Sequence, residues 1–272
     1  VYIQLNDKTE ITLGHRSFDN ETTLKGFVGT IWWPNSIYGS TTRPDNVNSK
    51  FDGSDSISKF NISYQATENA MVYATVSEGY RPGGTNRTTQ LGATYDADFL
   101  TNYEFGFKTI LMDGGMRLNG AAYTMEWDDI QLGWFDSSIS LLGLVDNIGA
   151  AQSMGFEIDS QIILNDRLSA TFAFAKNDAV LTEDYVLRGN IEARKDQDLP
   201  FTPDTKGNIG LTAEISDNSR IDFNYAFVAG MYNDLFFDDR EFQDSYGIGN
   251  LSYTMDVNDQ VSLQLYFDNV FD

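Results

Sequence analysis

Strict two-residue alternation of apolar and polar side chains recurs along this chain, and no other feature constrains its fold as much. Tyr103, Phe105 and Phe107 alternate with Glu104, Gly106 and Lys108. Phe156, Ile158 and Ile162 alternate with Glu157, Asp159 and Gln161, and Leu168, Ala170, Phe172 and Phe174 with Ser169, Thr171, Ala173 and Ala175. The same pattern runs through Ile209, Leu211, Ala213 and Ile215, through Ile221, Phe223, Tyr225 and Phe227, and through Val261, Leu263, Leu265 and Phe267. A period of two puts successive side chains on opposite faces of an extended strand, so each run reads as a strand with one apolar face. Helical spacing fits none of them.

The connections alternate as well. Tight turns rich in Asn, Asp and Gly are expected at residues 6–8, 66–70, 112–116, 165–167, 216–219 and 256–260. Long polar segments lie between them at 20–55, 78–98, 128–147, 179–205 and 229–244. The spacing predicts about twelve strands, each of roughly 9–11 residues or longer, the length a tilted strand needs to cross a bilayer. Short turns at one end and long loops at the other are the rhythm of an outer-membrane meander. A soluble sandwich also alternates, with its apolar face packed inward. The one-sided loops favour a membrane barrel, as does a second face rich in Gly, Ala, Ser, Asn and carboxylates.

Composition narrows the function. A net charge of −22 repels phosphate and excludes nucleic acid as a natural partner. With no cysteine there are no disulfides and no Cys-ligated metals, and the one histidine, His15, leaves no room for His-cluster metal centres. No apolar run is long enough for a transmembrane helix. The carboxylate pairs Glu157/Asp159 and Asp128/Asp129 have the residue types of a glycosidase, but i, i+2 carboxylates on an alternating strand need only a polar wall to explain them. No constellation points to an enzyme, a catalytic residue, a bound metal or a cofactor.

Six segments carry a resemblance. They are the run from Tyr73 through Gly79, Tyr80, Arg81, Pro82, Gly83, Gly84 and Asn86; the run Asn102 to Lys108; Trp127, Asp128, Ile130 and Gln131; Asn147, Gly149 and Ala151 with Gly155 and Glu157; Pro200 and Pro203 with Asn208 and Gly210; and Asn269, Phe271 and Asp272. In this order they resemble motifs of TonB-dependent receptors, and together they span nearly the whole chain. The resemblance implies an all-β, antiparallel, up-and-down transmembrane barrel in the bacterial outer membrane, of which a complete member has 22 strands around a plugged lumen. Residues 1–272 are then expected to be a partial C-terminal barrel, without the plug domain or the last strand, and with two unpaired edges.

The function implied is uptake of a scarce ligand, most commonly an iron–siderophore complex, driven by the TonB complex acting through the plug. A passive channel or a surface docking barrel is the alternative. Lipopolysaccharide and outer-membrane lipid are the other expected partners. Large aromatic groups in segments that should be wet mark candidate ligand contacts: Trp32, Trp33, Tyr38, Tyr80, Trp134, Phe135, Phe236 and Phe237. Arg81 and Arg240 could grip an anionic chelate through bidentate guanidinium contacts. His15 reads as an interfacial or lipid-facing strand residue.

Overall fold

The computed structural model describes residues 1–26, 47–87, 92–134, 143–187, 189–235 and 241–271. Twelve strands form one antiparallel sheet in strict sequence order. They are β1 (Tyr2–Asn6), β2 (Thr9–Gly26), β3 (Val47–Thr67), β4 (Ala70–Arg81), β5 (Asp98–Leu111) and β6 (Met116–Asp128). β7 (Ala151–Asn165), β8 (Leu168–Leu181), β9 (Thr205–Ser216), β10 (Ser219–Val228), β11 (Tyr246–Asn258) and β12 (Val261–Phe267) follow. Among the described residues, β1 and β12 each have a single neighbour in the sheet. All six expected tight turns lie between paired strands, and Asn6, Asn165 and Asn258 each accept a backbone N–H two residues on.

Register fixes the faces. Phe107, Gly120, Ile158, Phe174, Gly207 and Phe227 are successive cross-strand partners on one face. The adjacent row on the opposite face holds Lys108, Asn119, Asp159, Ala173, Asn208 and Ala226. Polar rungs join neighbours on that second face: Tyr73 to Glu104 at 2.7 Å, Asn119 to Asp159 at 3.0 Å, and Thr212 to Asp222 at 2.8 Å. The first face leaves Phe105, Phe156, Leu263, Leu265 and Phe267 open, a sheet-wide apolar surface that water cannot cover cheaply and lipid can. Phe172→Arg on this face is expected to cost about 2–4 kcal/mol in refolding titrations into lipid, and Thr171→Arg on the polar face far less.

The hairpin of β2 and β3 departs from expectation. Residues 20–26 and 47–55 are not loop but a continuous ladder, from Thr9 opposite Tyr64 up to Gly26 opposite Val47. β3 has 21 residues, which at roughly 3.3 Å per residue is about 70 Å, against a hydrocarbon core of about 30 Å. Above Leu13 and Phe60 the pattern inverts. Outward positions become polar (His15, Ser17, Asp19, Glu21, Lys50, Asp52), while Phe18, Leu24, Val47 and Phe51 on the opposite face are partly or fully buried. Below this level the outer solvent is lipid; above it the outer solvent is water, so the apolar side changes over. His15 lies on this outward face, hydrogen-bonded to Ser58 and Ser17.

The remaining long connections also carry order that their polarity hides. Short two-stranded ribbons pair Gly84–Thr85 with Thr94–Tyr95, Gln131–Trp134 with Leu144–Asn147, Tyr185–Leu187 with Asn190–Ala193, and Met231–Tyr232 with Phe242–Gln243.

Candidate functional site

The apolar core of the described chain sits above the sheet, in these connections. Ile130 and Ile148 come from the β6–β7 connection, Tyr185, Ala193 and Leu199 from the β8–β9 connection, and Leu235 from the β10–β11 connection. They close around Ala151, Ala179 and Leu181 at the strand ends, and Leu181, Ala193 and Leu235 are fully buried. Backbone bonds tie the same segments together: Thr182 N–H to Ala150 at 2.9 Å and Phe201 N–H to Tyr232 at 2.8 Å. The Gln197 side chain donates to the Leu235 carbonyl.

Beside this cluster lies a polar node built on Asp98, the first residue of β5, which is 1 % exposed. Its carboxylate accepts from Arg81 Nε at 2.9 Å and from Arg81 Nη2, from Trp127 Nε1 at 3.0 Å and from Gln131 N–H at 3.1 Å. Arg81 also donates to the Gln131 carbonyl and lies 4.9 Å from the Trp127 ring centroid. A carboxylate this deep is tolerable because four charge-assisted donors replace its water. The Gln131 side chain donates to the Pro82 and Asp96 carbonyls, and Asn147 exchanges hydrogen bonds with the Asp96 backbone. Asn86 clamps Val145 through both its amide groups, at 2.8 and 3.0 Å. Gly83 and Gly84 sit against the rings of Phe51 and Tyr95, where a Cβ would collide.

Two of the sequence candidates are fully described, one in this assembly and one beside it. Arg81 is in the node, with half its side chain exposed. Tyr80 is wedged between Phe18, at 4.0 Å between ring centroids, and Phe99, at 5.3 Å, and its hydroxyl accepts from Asn20 at 2.7 Å. Trp134 ends a short strand, and its side chain lies outside the described residues. Trp32, Trp33, Tyr38, Phe135, Phe236, Phe237 and Arg240 also lie outside them. Sequence reasoning alone does not find Asp98, Tyr185 or Asp146. A usable signal for Asp98 is nevertheless present, as a carboxylate opening one strand directly opposite the arginine that ends its neighbour.

Tyr185 donates to Asp146 at 2.7 Å. Burial above all, and then the hydrogen bond to that carboxylate, push its phenol upward. A raised folded-state value means the contribution to stability is complete below the unfolded value of about 10 and is lost as pH rises through the folded one. The loop cluster is therefore expected to keep Tyr185 protonated in alkali that ionises exposed tyrosines, and Tyr185→Phe should remove that late step from a tyrosinate absorbance titration. Among the described residues no three His, Cys, Asp or Glu side chains gather as a cation site.

The family model for the TonB dependent receptor-like β-barrel matches residues 2–270. The metal-pseudopaline receptor CntO of Pseudomonas aeruginosa is 28 % identical over 126 residues, 46 % of this chain and 17 % of that protein. The ferric yersiniabactin uptake receptor FyuA of Yersinia pestis superposes with a TM-score of 0.77 at 20 % identity, over 98 % of this chain and 39 % of that one. The closed form of the ferric-catecholate import receptor Fiu of E. coli K12 gives 0.73 at 18 % identity, over 100 % and 39 %. At these identities the superpositions establish the fold, and the chain spans well under half the length of these relatives. With the family matched along almost its whole length, the chain belongs to the TonB dependent receptor-like β-barrels of the bacterial outer membrane.

Proposed function

We propose that this chain is the wall and extracellular face of a receptor that captures a metal chelate outside the cell and admits it by TonB-driven transport. The observation that carries this reading is the interlocked loop body standing over a polar wall. Ordering loops before a ligand arrives lowers the entropy cost of binding, and a capture surface needs that where a passive pore does not. The relatives' names supply the ligand class: metal–pseudopaline, ferric yersiniabactin and ferric catecholate are all chelated metals. The loop aromatics and arginines singled out in the sequence are the proposed contacts, with Arg81 the one placed in the node. No covalent step is required.

The test uses the full-length protein in cells stripped of their own chelate receptors. Radio-iron uptake is measured from a panel of ferric siderophores, with TonB present or deleted. Saturable uptake that vanishes without TonB is expected. Uptake that persists without TonB and falls smoothly with solute size would overturn the reading and make the protein a passive channel.

A further inference from the structure

The ribbon that pairs Gln131–Trp134 with Leu144–Asn147 has two unlike faces. Gln131 and Asn147 are cross-strand partners, and both reach into the polar node at Pro82 and Asp96. The next pair, Leu132 and Asp146, faces the other way: Leu132 packs on the apolar cluster and Asp146 holds Tyr185. Ile130 and Ile148, joined through their backbones, extend that apolar side. The two-residue period of a strand therefore sets one ribbon between the two assemblies, which Trp127 also joins, donating to Asp98 and packing on the apolar cluster.

On the polar side the ribbon is held by side chains and backbone together. The Gln131 backbone is gripped at both ends, its N–H by Asp98 and its carbonyl by Arg81, and Asn86 grips Val145 on the paired strand. Asp98 also fixes Arg81 and Trp127, so one buried carboxylate ties the ends of β4, β5 and β6 to the ribbon, beside the side-chain bonds of Gln131, Asn147 and Asn86. On the apolar side the β8–β9 and β10–β11 connections meet the ribbon through Tyr185, Leu199 and Leu235.

We infer that Asp98 is a positioning residue for the four long connections between β4 and β11. It pins the β4–β5 connection to the ribbon, and the ribbon transmits any movement of that pin to Tyr185 and the apolar cluster, so the four connections respond as one body. Packed elements with discrete contacts can carry such coupling, but the coupling must be measured.

The measurement is hydrogen exchange on the full-length protein in detergent, comparing Asp98→Asn, Asp98→Glu and Asn86→Ala with the parent. Asparagine keeps the shape and loses the charge that accepts four donors, so exchange should rise about tenfold or more over 82–87, 92–97 and 129–134. The rise should continue over 185–187 and 190–199, which Asp98 does not touch. Unchanged exchange in the spanning strands would show that the barrel is intact. Glutamate, which keeps the charge but not the length, should restore part of the protection that asparagine loses; if Asp98 only fills space, asparagine should be the milder change. Should Asp98→Asn fail to assemble, Asn86→Ala removes the second grip and is read by the same criterion. Increases that stop at residue 134, leaving 185–199 as in the parent, would overturn the inference. These outcomes concern the loop body and stay distinct from a failure to transport chelates.

Discussion

Gly155→Val is expected to abolish assembly of the barrel wall. Gly155 sits inside β7, four residues from its start, opposite Tyr123 of β6 and Asn177 of β8. A Cβ there would overlap the carbonyl oxygen of Lys176, a backbone atom in the ladder, and would lie 2.8 Å from the Tyr123 hydroxyl. The tyrosine could swing aside, at the loss of its 3.1 Å hydrogen bond to Asn177. The carbonyl cannot move unless the ladder between β7 and β8 opens, and a membrane strand has no water to replace a lost backbone bond. Gly120→Ala is the control. Its Cβ would meet the ring of Phe107 at 2.6 Å, a side chain on the lipid face with room to rotate, so the cost should be about 1 kcal/mol. Heat-modifiable gel mobility after refolding into detergent separates the two. A Gly155→Val protein that migrates as folded and melts within a few degrees of the parent would refute the argument.

That glycine is legible in the sequence only as part of a resemblance, and the reason is general for this chain. Strand identity and register depend on a local period, which is why Phe172 and Ala173, or Leu263 and Gln264, sort to opposite faces from the sequence alone. The upper reaches of β2 and β3 escape that logic because it takes the apolar side to be the same along a whole strand. Around Phe18 and Phe51 the apolar side is the inner one, and a window spanning the changeover averages the two patterns away. The node is half visible. Arg81, Asn86, Trp127, Gln131 and Asn147 all stand in motifs, but Asp98, which joins Arg81, Trp127 and Gln131, stands in none. The apolar cluster is not legible as a unit, since Ile130, Leu181, Leu199 and Leu235 come from segments far apart in sequence with no shared period.

Leu181 provides the sharpest test of that hidden cluster. It is the last residue of β8, fully buried, and it lies where the β6–β7, β8–β9 and β10–β11 connections meet. Its backbone is engaged at both ends, the N–H with Gln197 and the carbonyl with Asp196, so the main chain is held in place and a truncated side chain leaves a cavity. Leu181→Ala should then cost the loop body about 3–5 kcal/mol. Leu181→Asp should cost more, because it would place a carboxylate among the apolar side chains of Ile130, Ile148, Leu199 and Leu235. Both losses should fall on the loops and not on the wall. The strands beneath derive their stability from the ladder and from lipid contact, neither of which the Leu181 side chain supports. Proteolysis of intact cells reads the difference: the variants should be cut within 182–204 and 229–245 by proteases that leave the parent whole, with the barrel still heat-modifiable on gels. Equal resistance to cleavage in Leu181→Asp and the parent would mean that these connections are ordered by something other than the cluster at Leu181.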